Sequence, residues 1–288
     1  MALAATIGFF DGVHAGHRFV LDRLQQVAAE NGLESAAVVF EEHPQQVLRG
    51  IRVPLLTTLA ERVKLLKDSG VDQVLPFRFE EIRSLTAEAF MRLLHDKYDV
   101  CILVMGYDHR FGSDQMMHFS DYEKCGARVG IKLVLLPQNP YSDASSTAIR
   151  KALSSGNIEI ANELLGYPYT LVGKVVPGKQ IGRTIGFPTA NLSVPEEKLI
   201  PSTGVYACKV DEKDALLNIG NNPTTQGTEQ TIELHLIDFE GDLYGKCMTV
   251  KLLKYLRPEQ RFDNMEALRQ QILQDVKTLK NNELIKNT

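Results

Sequence analysis

The sequence predicts two domains: an α/β domain with a parallel sheet in the N-terminal half, and an antiparallel all-β domain closed by a helix in the C-terminal half. Up to Leu165, strand-like and helix-like runs alternate, which favours a parallel sheet with helices on both faces. After Leu165, short strand-like runs separated by Gly, Pro, Asn and Asp are typical of an antiparallel barrel or sandwich. A length of 288 residues also suggests two domains.

Hydrophobic periodicity gives the elements of the N-terminal half. Buried strands are expected over residues 6–10, 36–40, 71–77, 100–105 and 132–136. Helices are expected over residues 18–29, 59–68 and 86–95. The order strand, helix, strand repeats along this half, as in a Rossmann-like domain.

A change of character near residue 166 marks the expected linker, Gly166-Tyr167-Pro168. The predicted domains are therefore 1–166 and 167–288. Strand-like runs follow over residues 171–176, 205–210, 215–219, 231–238 and 248–255. An amphipathic helix is expected from about residue 263, with Met265, Leu268, Ile272 and Val276 on its apolar face.

Composition excludes some classes of function. The chain has 32 basic and 36 acidic residues and a net charge of -4, which argues against electrostatic binding of nucleic acid. No apolar run is long enough to span a membrane. The N-terminal stretch Met1–Ala5 is too short and carries too little charge to form a signal peptide. We therefore expect a cytoplasmic protein with no membrane partner.

The strongest local pattern is Phe-Asp-Gly-Val-His-Ala-Gly-His over residues 10–17, where the first strand gives way to a helix. A helix start presents free backbone N–H groups and a positive dipole end, which bind phosphate. Gly12 and Gly16 allow the backbone to approach a phosphate closely. His14 and His17 are three residues apart and can reach one side of the turn, where they could stabilise charge on a reacting phosphorus.

A second pattern, Ser-Ser-Thr-Ala-Ile-Arg over residues 145–150, has the composition of a helix start. Alone it is a good N-cap and no more. Together with residues 10–17 it resembles the second signature of the nucleotidyltransferases that carry an HxGH motif. The resemblance implies that its hydroxyl groups and Arg150 hold the β- and γ-phosphates of ATP.

Two further segments narrow the resemblance to bacterial FAD synthetases. Residues 40–44, Phe-Glu-Glu-His-Pro, resemble the FEPHP segment of that family, and residues 106–112, Gly-Tyr-Asp-His-Arg-Phe-Gly, resemble its GEDFRFG segment. The sequence departs from these patterns at Glu42, Tyr107 and His109, and Ala148 replaces a usual arginine in residues 145–150. It also has Phe9 where the family has an asparagine that helps position the phosphates; if Phe9 merely replaces that amide, Phe9→Asn should raise the adenylylation rate.

The C-terminal half opens with a basic, Gly-rich stretch over residues 173–192. Such a loop can wrap phosphates with backbone amides and cations, although it lacks the ending of a Walker A motif, and a plain Gly-rich hairpin would have the same composition. Thr189 and Asn191 alternate on an extended segment and so face one way, which suits two oxygen ligands for Mg²⁺.

The segment Gly-Phe-Pro-Thr-Ala-Asn over residues 186–191 resembles the PTAN signature of riboflavin kinases, whose fold is a barrel. The resemblance implies that Glu233, in the strand Thr-Ile-Glu-Leu-His-Leu, is the catalytic base. His235 shares the face of Glu233 and is either a neighbour or a bystander. Residues 256–262, before the last helix, resemble the segment that covers the flavin.

The chain from about Thr6 to Val276 thus resembles the bacterial bifunctional riboflavin kinase/FAD synthetase family. The resemblance implies catalytic roles for His14, His17, Arg150 and Glu233, and metal contacts at Thr189 and Asn191. In the N-terminal half it implies nucleotide contacts at Gly8, Phe10, Asp11, Gly12, Gly16, Asp108, Ser145, Ser146 and Thr147. In the C-terminal half it implies nucleotide contacts at Gly178, Lys179, Gly182, Arg183 and Thr184, and flavin contacts at Arg257, Arg261 and Phe262.

The activity implied is phosphorylation of riboflavin to FMN, then adenylylation of FMN to FAD. The expected partners are riboflavin, FMN, FAD, ATP, ADP and pyrophosphate, with Mg²⁺ as cofactor and self-association possible. Two alternatives stay open. The adenylyltransferase half could be weakened, because of Phe9 and Ala148. The chain could instead be a flavin-binding regulator, although its sequence has neither a DNA-binding helix pair nor a basic face.

Overall fold

The computed structural model describes residues 1–141, 143–178, 182, 186–224 and 227–281, and within these ranges the side chains outside residues 222–229. The chain divides into two compact units, Met1–Ser146 and Thr147–Thr288. Each unit is built on one sheet, and the two sheets are of different kinds.

A five-stranded parallel sheet forms the first unit, with strand order β3-β2-β1-β4-β5. The strands are β1 (Leu3–Gly8), β2 (Glu34–Phe40), β3 (Gln73–Phe77), β4 (Val100–Met105) and β5 (Lys132–Leu135). The helices are α1 (Ala15–Asn31), α2 (Pro44–Arg49), α3 (Leu59–Asp68), α4 (Phe79–Ile82), α5 (Ala87–Tyr98) and α6 (Phe119–Val129).

Both faces of this sheet are covered by helices. In β1, Ala5 and Ile7 pack in a core that includes Phe90 of α5. Ala4, between them in sequence, packs on the opposite face with Leu24 of α1. Successive side chains of a strand point to opposite faces, so a strand buried on both sides reads as a continuous apolar run.

The strand order places a topological switch point between β1 and β4. From β1 the chain runs outward through β2 and β3, and then returns to add β4 on the other side of β1. Ligands of open parallel sheets bind in the crevice at the carboxyl ends of the strands at such a point. The segments that follow β1 and β4 are therefore the natural place for a site.

The elements found in the first unit differ in two ways from those predicted. The strand predicted over residues 6–10 lies at Leu3–Gly8, because Phe10 has a φ of 53°, which a strand does not allow. The helices α2, α4 and α6 were not predicted. In α6, Gly126 interrupts the apolar pattern, yet a Cβ there would overlap the Leu133 side chain, so glycine permits close packing of the helix on β5.

The second unit is a closed antiparallel barrel with strand order β10-β7-β6-β11-β8-β9, and β10 also pairs with β9. Its strands are β6 (Thr170–Val176), β7 (Ala190–Ser193), β8 (Gly204–Val210), β9 (Lys213–Thr224), β10 (Gly227–Leu236) and β11 (Cys247–Arg257). Its helices are α7 (Ser146–Ser154), whose first residue ends the first unit, α8 (Ile158–Leu165) and α9 (Met265–Lys280). The predicted fold class is confirmed, and the second domain is a barrel and not a sandwich.

Helix α9 packs on the barrel, as predicted from its amphipathic pattern. Ile272 and Val276 pack against Val205 and Leu216 of the barrel, and Leu279 is buried in the same cluster. The helix begins at Met265, whose side chain is exposed, and the Asn264 side chain caps it by accepting from the Ala267 N–H at 2.9 Å.

Helix α8 contacts the barrel through specific hydrogen bonds. The Asn162 side chain donates to the Leu252 carbonyl at 2.9 Å and accepts from the Tyr169 N–H at 2.7 Å. The Ser202 N–H donates to the Leu153 carbonyl at the end of α7 at 3.1 Å. The compact unit therefore starts before the linker predicted near Tyr167, and the domain boundary at 166 stays a prediction that can be tested.

A fragment beginning at Thr147 is expected to be more stable than one beginning at Gly166. The shorter fragment lacks the Asn162 bonds and the buried side chains of α8, and one buried aliphatic side chain alone contributes roughly 1.5–3 kcal/mol. Both fragments keep the closed barrel and should form FMN. Urea unfolding of the two fragments measures the difference; equal stabilities would place the boundary at residue 166.

Candidate active sites

The turn after β1 has an unusual backbone conformation. Phe10 and Val13 have positive φ angles of 53° and 38°, Gly12 has a φ of 82°, and the Val13 N–H closes the turn on the Phe10 carbonyl at 3.0 Å. Residues other than glycine rarely adopt a positive φ, and such positions concentrate at ligand sites. A Cβ at Gly8 would lie 2.8 Å from the Phe10 ring, so the strand must end in glycine.

Asp11 holds this turn against a neighbouring segment. Its carboxylate accepts from the Leu56 N–H at 3.0 Å, the Thr57 N–H at 2.9 Å and the Thr57 hydroxyl at 3.1 Å, while the Gly12 N–H donates to the same hydroxyl at 3.0 Å. Asp11 is buried and its two oxygens have protein partners. The Asp11 side chain therefore fixes the turn. If Asp11 contacts the nucleotide as predicted, its backbone atoms would make that contact.

The start of α1 is suited to an anion. His14 is the N-cap residue, its side chain makes no capping hydrogen bond, and the first turn has no acidic residue. The positive end of the helix is therefore not neutralised by its own side chains. Asn139 fastens this end by donating to the Gly16 carbonyl at 3.0 Å, and a Cβ at Gly16 would lie 2.8 Å from that side chain.

The two histidines lie together, with ring centroids 3.7 Å apart and planes at 22°. Phe10 packs edge-on against His17 at 5.1 Å. Burial first, and then the charges of His14 and Arg62, hold the pKa of His17 well below its ordinary value. His17 is therefore neutral near neutral pH. Its Nδ1 is buried and bonded to no residue that the structure describes.

The second motif meets the first at the start of α7. The Ser146 hydroxyl donates to the Asp11 carbonyl at 2.9 Å, which ties residues 145–146 to the turn after β1. Thr147 and Arg150 follow on α7 and belong to the second unit. The roles predicted for Ser145, Thr147 and Arg150 stay predictions.

The segment after β4 lies on the other side of the switch point. The Tyr122 hydroxyl shapes it by donating to the Phe111 carbonyl at 2.9 Å and accepting from the Phe111 N–H at 3.1 Å. Asp108 is exposed, whereas Nε2 of His109 is buried and bonded to nothing in the described ranges. Burial lowers the pKa of His109 to about 4. The predicted contact at Asp108 is thus accessible to a nucleotide.

In the barrel, β10 brings three predicted residues together. Glu233 pairs with Asn191 of β7 in the antiparallel register, and the Thr189 hydroxyl lies 3.4 Å from the Glu233 carboxylate, to which it donates. Ile232 and Leu234, on the other face of β10, are buried in the barrel. The alternation of β10 therefore points the carboxylate toward the segment that carries Thr189.

Two glycines let the preceding loop approach this segment. A Cβ at Gly178 would overlap the Asn191 side-chain amide, and a Cβ at Gly182 would overlap the Phe187 carbonyl. The Phe187 N–H donates to the Gly182 carbonyl at 2.9 Å. Glycine is therefore required at these two positions for steric reasons, and the nucleotide contacts predicted there stay predictions. Lys179, Arg183 and Thr184, which were predicted to bind nucleotide, lie outside the described residues.

Two cavities of the barrel unit share Thr189 as a wall. One, of about 300 Å³, is also lined by Glu233, Arg257 and Phe262. The other, of about 600 Å³, is also lined by Pro188 and Tyr244. A side chain between two cavities can contact the ligands of both, so the geometry suits a reaction between two bound molecules.

Arg257 is held rigidly in the smaller cavity. It forms a two-pronged ion pair with Asp275 of α9, at 3.0 Å from Nε and 2.8 Å from Nη2, and its guanidinium lies 5.9 Å from the centre of the Phe262 ring. Both partners of the pair are largely buried. Arg261 is exposed. The flavin contacts predicted at Arg257, Arg261 and Phe262 stay predictions.

Comparison with known proteins identifies both halves. The FAD synthetase family model matches residues 2–148, and the riboflavin kinase family model matches residues 165–282. The bifunctional riboflavin kinase/FMN adenylyltransferase of Escherichia coli K12 is 39% identical over 280 residues, 94% of this chain and 89% of the relative. The chain belongs to the bifunctional riboflavin kinase/FAD synthetase family.

Other relatives span the same length. The bifunctional riboflavin kinase/FMN adenylyltransferase of Listeria monocytogenes is 37% identical over 93% of this chain and 88% of the relative. A solved structure described as a macrolide-efflux protein from Streptococcus pneumoniae has a TM-score of 0.87 and 30% identity, over 98% of this chain and 95% of that one. Among the described helices, none has the length and apolar character needed to cross a membrane.

The family and the pairing of two enzyme domains are thus confirmed, as predicted from residues 10–17 and 186–191. A riboflavin kinase domain follows an FAD synthetase domain in the expected order. The alternative of a flavin-binding regulator loses its support, because both enzyme domains of the family are present.

Sequence reasoning missed Arg62 of α3, which lies beside the FAD synthetase motif. Its side chain is fully buried, and Nη2 donates to the Phe40 carbonyl at 2.7 Å. Its guanidinium carbon lies 4.1 Å from the centre of the Phe9 ring, and Phe9 also packs edge-on against His43 at 4.7 Å. Burial lowers the pKa of Arg62 to about 10, although nearby Asp11 opposes this change.

These contacts give Phe9 a packing role in this member of the family. Nε and Nη1 of Arg62 are buried and bond to no residue within the described ranges, so the Phe9 ring is a main cover of the cation. A cation against an aromatic face is stabilised by about 0.5–2 kcal/mol. The structure thus favours packing over the interpretation of Phe9 as a lost phosphate contact.

Phe9→Ala is expected to lower the free energy of unfolding by about 2 kcal/mol or more, because it removes the ring from both Arg62 and His43. Thermal unfolding measures this loss. Phe9→Asn, for the same reason, should make FAD no faster than the wild type. A Phe9→Asn variant that is as stable as the wild type and forms FAD faster would restore the phosphate-contact interpretation.

Proposed function

We propose that the chain phosphorylates riboflavin with ATP in the barrel unit and adenylylates FMN with a second ATP at the carboxyl edge of the parallel sheet. The observation that carries the proposal is the position of Thr189, which lines both cavities and donates to Glu233 of the smaller cavity, itself paired with Asn191 across the strands. A kinase needs this arrangement, because an alcohol and a triphosphate must be held end to end.

In the kinase reaction, the 5′-hydroxyl oxygen of riboflavin attacks the γ-phosphorus of ATP. The bond from that phosphorus to the bridging oxygen breaks, and ADP leaves with its electron pair. Glu233 accepts the hydroxyl proton; its carboxylate lies on the smaller cavity, where we place the flavin beside Phe262 and Arg257. The nucleotide would occupy the larger cavity, with its phosphates toward Thr189, which lines both cavities, and toward the loop at Gly178 and Gly182, of which Gly182 lines the smaller cavity beside Thr189.

The residues present fit a divalent cation. Thr189 and Asn191 offer a hydroxyl and an amide oxygen next to Glu233, and the absence of a Cβ at Gly178 leaves the Asn191 amide room beside the loop. These are the hard oxygen ligands that Mg²⁺ takes together with ATP phosphates. Bound Mg²⁺ would neutralise phosphate charge. The described residues contain no cluster of three His, Cys, Asp or Glu side chains that could hold a metal ion by themselves. A cation that also binds the phosphates of ATP does not require such a cluster.

In the adenylyl transfer, a phosphate oxygen of FMN attacks the α-phosphorus of ATP, and pyrophosphate leaves. FMN is already a nucleophile, so no base is needed. The α1 start with Gly12 and Gly16 would hold the triphosphate, and neutral His17, with His14, would donate to the oxygens of the reacting phosphorus. Ser145, Ser146, Thr147 and Arg150 would hold the departing pyrophosphate, and Asp108 would contact the nucleotide.

One incubation tests both activities. Riboflavin, ATP and Mg²⁺ are mixed with the protein, and riboflavin, FMN and FAD are separated over time. FMN should appear first and FAD later, with ADP and then pyrophosphate released. Formation of FMN without FAD would support the alternative of a weakened adenylyltransferase. If neither FMN nor FAD formed, the proposal would be overturned.

We further propose that the protein acts in the cytoplasm without nucleic acid or membrane partners. Analytical sedimentation would measure its self-association.

Asn191→Ala is expected to abolish riboflavin phosphorylation and leave FAD formation from supplied FMN unchanged. The side-chain oxygen lost is one of the two proposed for the Mg²⁺–nucleotide, and Asn191 lies on the surface of β7 opposite Glu233. Ser193→Ala, two residues along the same strand and exposed, is the control. Loss of both activities, with a changed circular dichroism spectrum, would instead indicate unfolding.

A further inference from the structure

His235 follows Glu233 by two residues on β10 and makes two contacts with one short segment. Its Nδ1 lies 2.9 Å from the Pro188 carbonyl oxygen, and its ring packs edge-on against Phe187 with centroids 5.4 Å apart and planes at 74°. A carbonyl oxygen only accepts, so Nδ1 of His235 carries the proton and donates. This bond exists for the neutral ring and for the charged ring alike.

The bond lies where backbone pairing between β10 and β7 ends. The ladder joins Glu233 to Asn191 and Leu234 to Ala190. Continued in the same register, the ladder would place Thr189 opposite His235 and Pro188 opposite Leu236, but Pro188 has no N–H to donate to β10. The side chain of His235 takes over at this point and holds the Pro188 carbonyl.

Thr189 is thereby fixed from both sides. Ala190 after it is held by the ladder to β10, and Pro188 before it is held by His235. The distance from the Thr189 hydroxyl to the Glu233 carboxylate is 3.4 Å, near the limit of a hydrogen bond, so a small displacement of the segment would break it.

We propose that His235 is a positioning residue of the kinase site: by holding Pro188, it sets the position of Thr189 relative to Glu233. The inference rests on the proposed kinase function of this site. His235 does not touch the reacting atoms in this scheme. It acts on the ligand to the cation through the backbone, as the outer partners of metal ligands do.

Two variants separate the hydrogen bond from the ring. His235→Phe keeps an aromatic ring against Phe187 and removes the donor. His235→Asn removes the ring and keeps an N–H donor near the position of Nδ1. His235 is half-buried, so both side chains have room, and thermal unfolding checks that both variants fold.

The kinase is assayed in the full chain with riboflavin and ATP over a range of Mg²⁺ concentrations. In His235→Phe, kcat for FMN formation should fall and the half-saturating Mg²⁺ concentration should rise, each by roughly 10–100-fold, the usual loss from an outer partner of a metal ligand. KM for riboflavin should change little. His235→Asn should stay within about threefold of the wild type, since it restores the donor. FAD formation from supplied FMN should be unchanged in both.

The proposal is overturned if His235→Phe keeps wild-type kinetics, or if His235→Asn loses as much activity as His235→Phe. His235 also lines the smaller cavity, where we place the flavin, so a loss confined to KM for riboflavin would overturn the proposal by showing that His235 acts as a flavin contact. If the wild type formed no FMN, the kinase function itself would fail. Calorimetric titration of ADP at several Mg²⁺ concentrations would still test the role of His235: weaker Mg²⁺-dependent binding in His235→Phe alone supports it, and equal binding in all three proteins overturns it.

Discussion

Glu233→Gln is expected to lower the rate of FMN formation by roughly 10²–10⁴, the contribution of a positioned general base. Glutamine has nearly the shape of glutamate and can still accept from the Thr189 hydroxyl, which lies 3.4 Å from the carboxylate. It cannot take the proton of the riboflavin hydroxyl. The initial rate of FMN formation at saturating ATP, riboflavin and Mg²⁺ measures the effect, and it should appear in kcat.

Two controls accompany this variant. FAD formation from supplied FMN should be unchanged, since Glu233 lies in the barrel unit. Glu212→Gln removes an exposed carboxylate of the same barrel, which pairs with Lys251 at 3.2 Å, and should have no effect on either activity. If Glu233→Gln made FMN at nearly the normal rate, Glu233 would be an ordinary carboxylate on a strand and another group would take the proton.

His17→Ala is expected to reduce kcat for FAD formation from FMN by roughly 10²–10³, the loss found when one donor to a developing oxyanion is removed. Its ring stacks on His14 at 3.7 Å beside the start of α1, where we place the triphosphate, and Nδ1 is bonded to none of the described residues. Because the pKa of His17 is held well below its ordinary value, the ring acts in its neutral form and donates from one nitrogen.

Riboflavin phosphorylation should survive His17→Ala. His118→Ala, which removes an exposed histidine at the start of α6 in the same unit, is the matched control and should leave FAD formation intact. A His17→Ala variant that forms FAD at the wild-type rate would remove His17 from the catalytic group. The backbone amides of the α1 start would then have to supply the stabilisation alone.

Much of the site could be predicted from the sequence because its parts are local. The glycines and histidines of residues 10–17 come from one turn, and the two-residue period of a strand places Glu233 and His235 on one face. Arg62 shows where local reasoning stops. Its spacing from Leu59 and Leu66 places it on the apolar face of α3, but an arginine is ordinarily exposed, so the pattern by itself predicts a charged surface residue.

Hydrophobic periodicity in the sequence predicts most of the strands and the alternation of elements, because it depends on residues only a few positions apart. The two enzyme domains follow instead from the resemblance of local motifs, residues 10–17 and 186–191, to those of the family. Only the tertiary structure shows that the second domain closes into a barrel, in which β10 pairs with both β7 and β9. It likewise decided that Asp11 binds the protein backbone, that Phe9 covers Arg62, and that His235 holds Pro188. The contacts of Asp11, Phe9 and His235, and the pairing of β10 with β7, join residues more than 40 positions apart, and which distant groups meet depends on how whole elements pack.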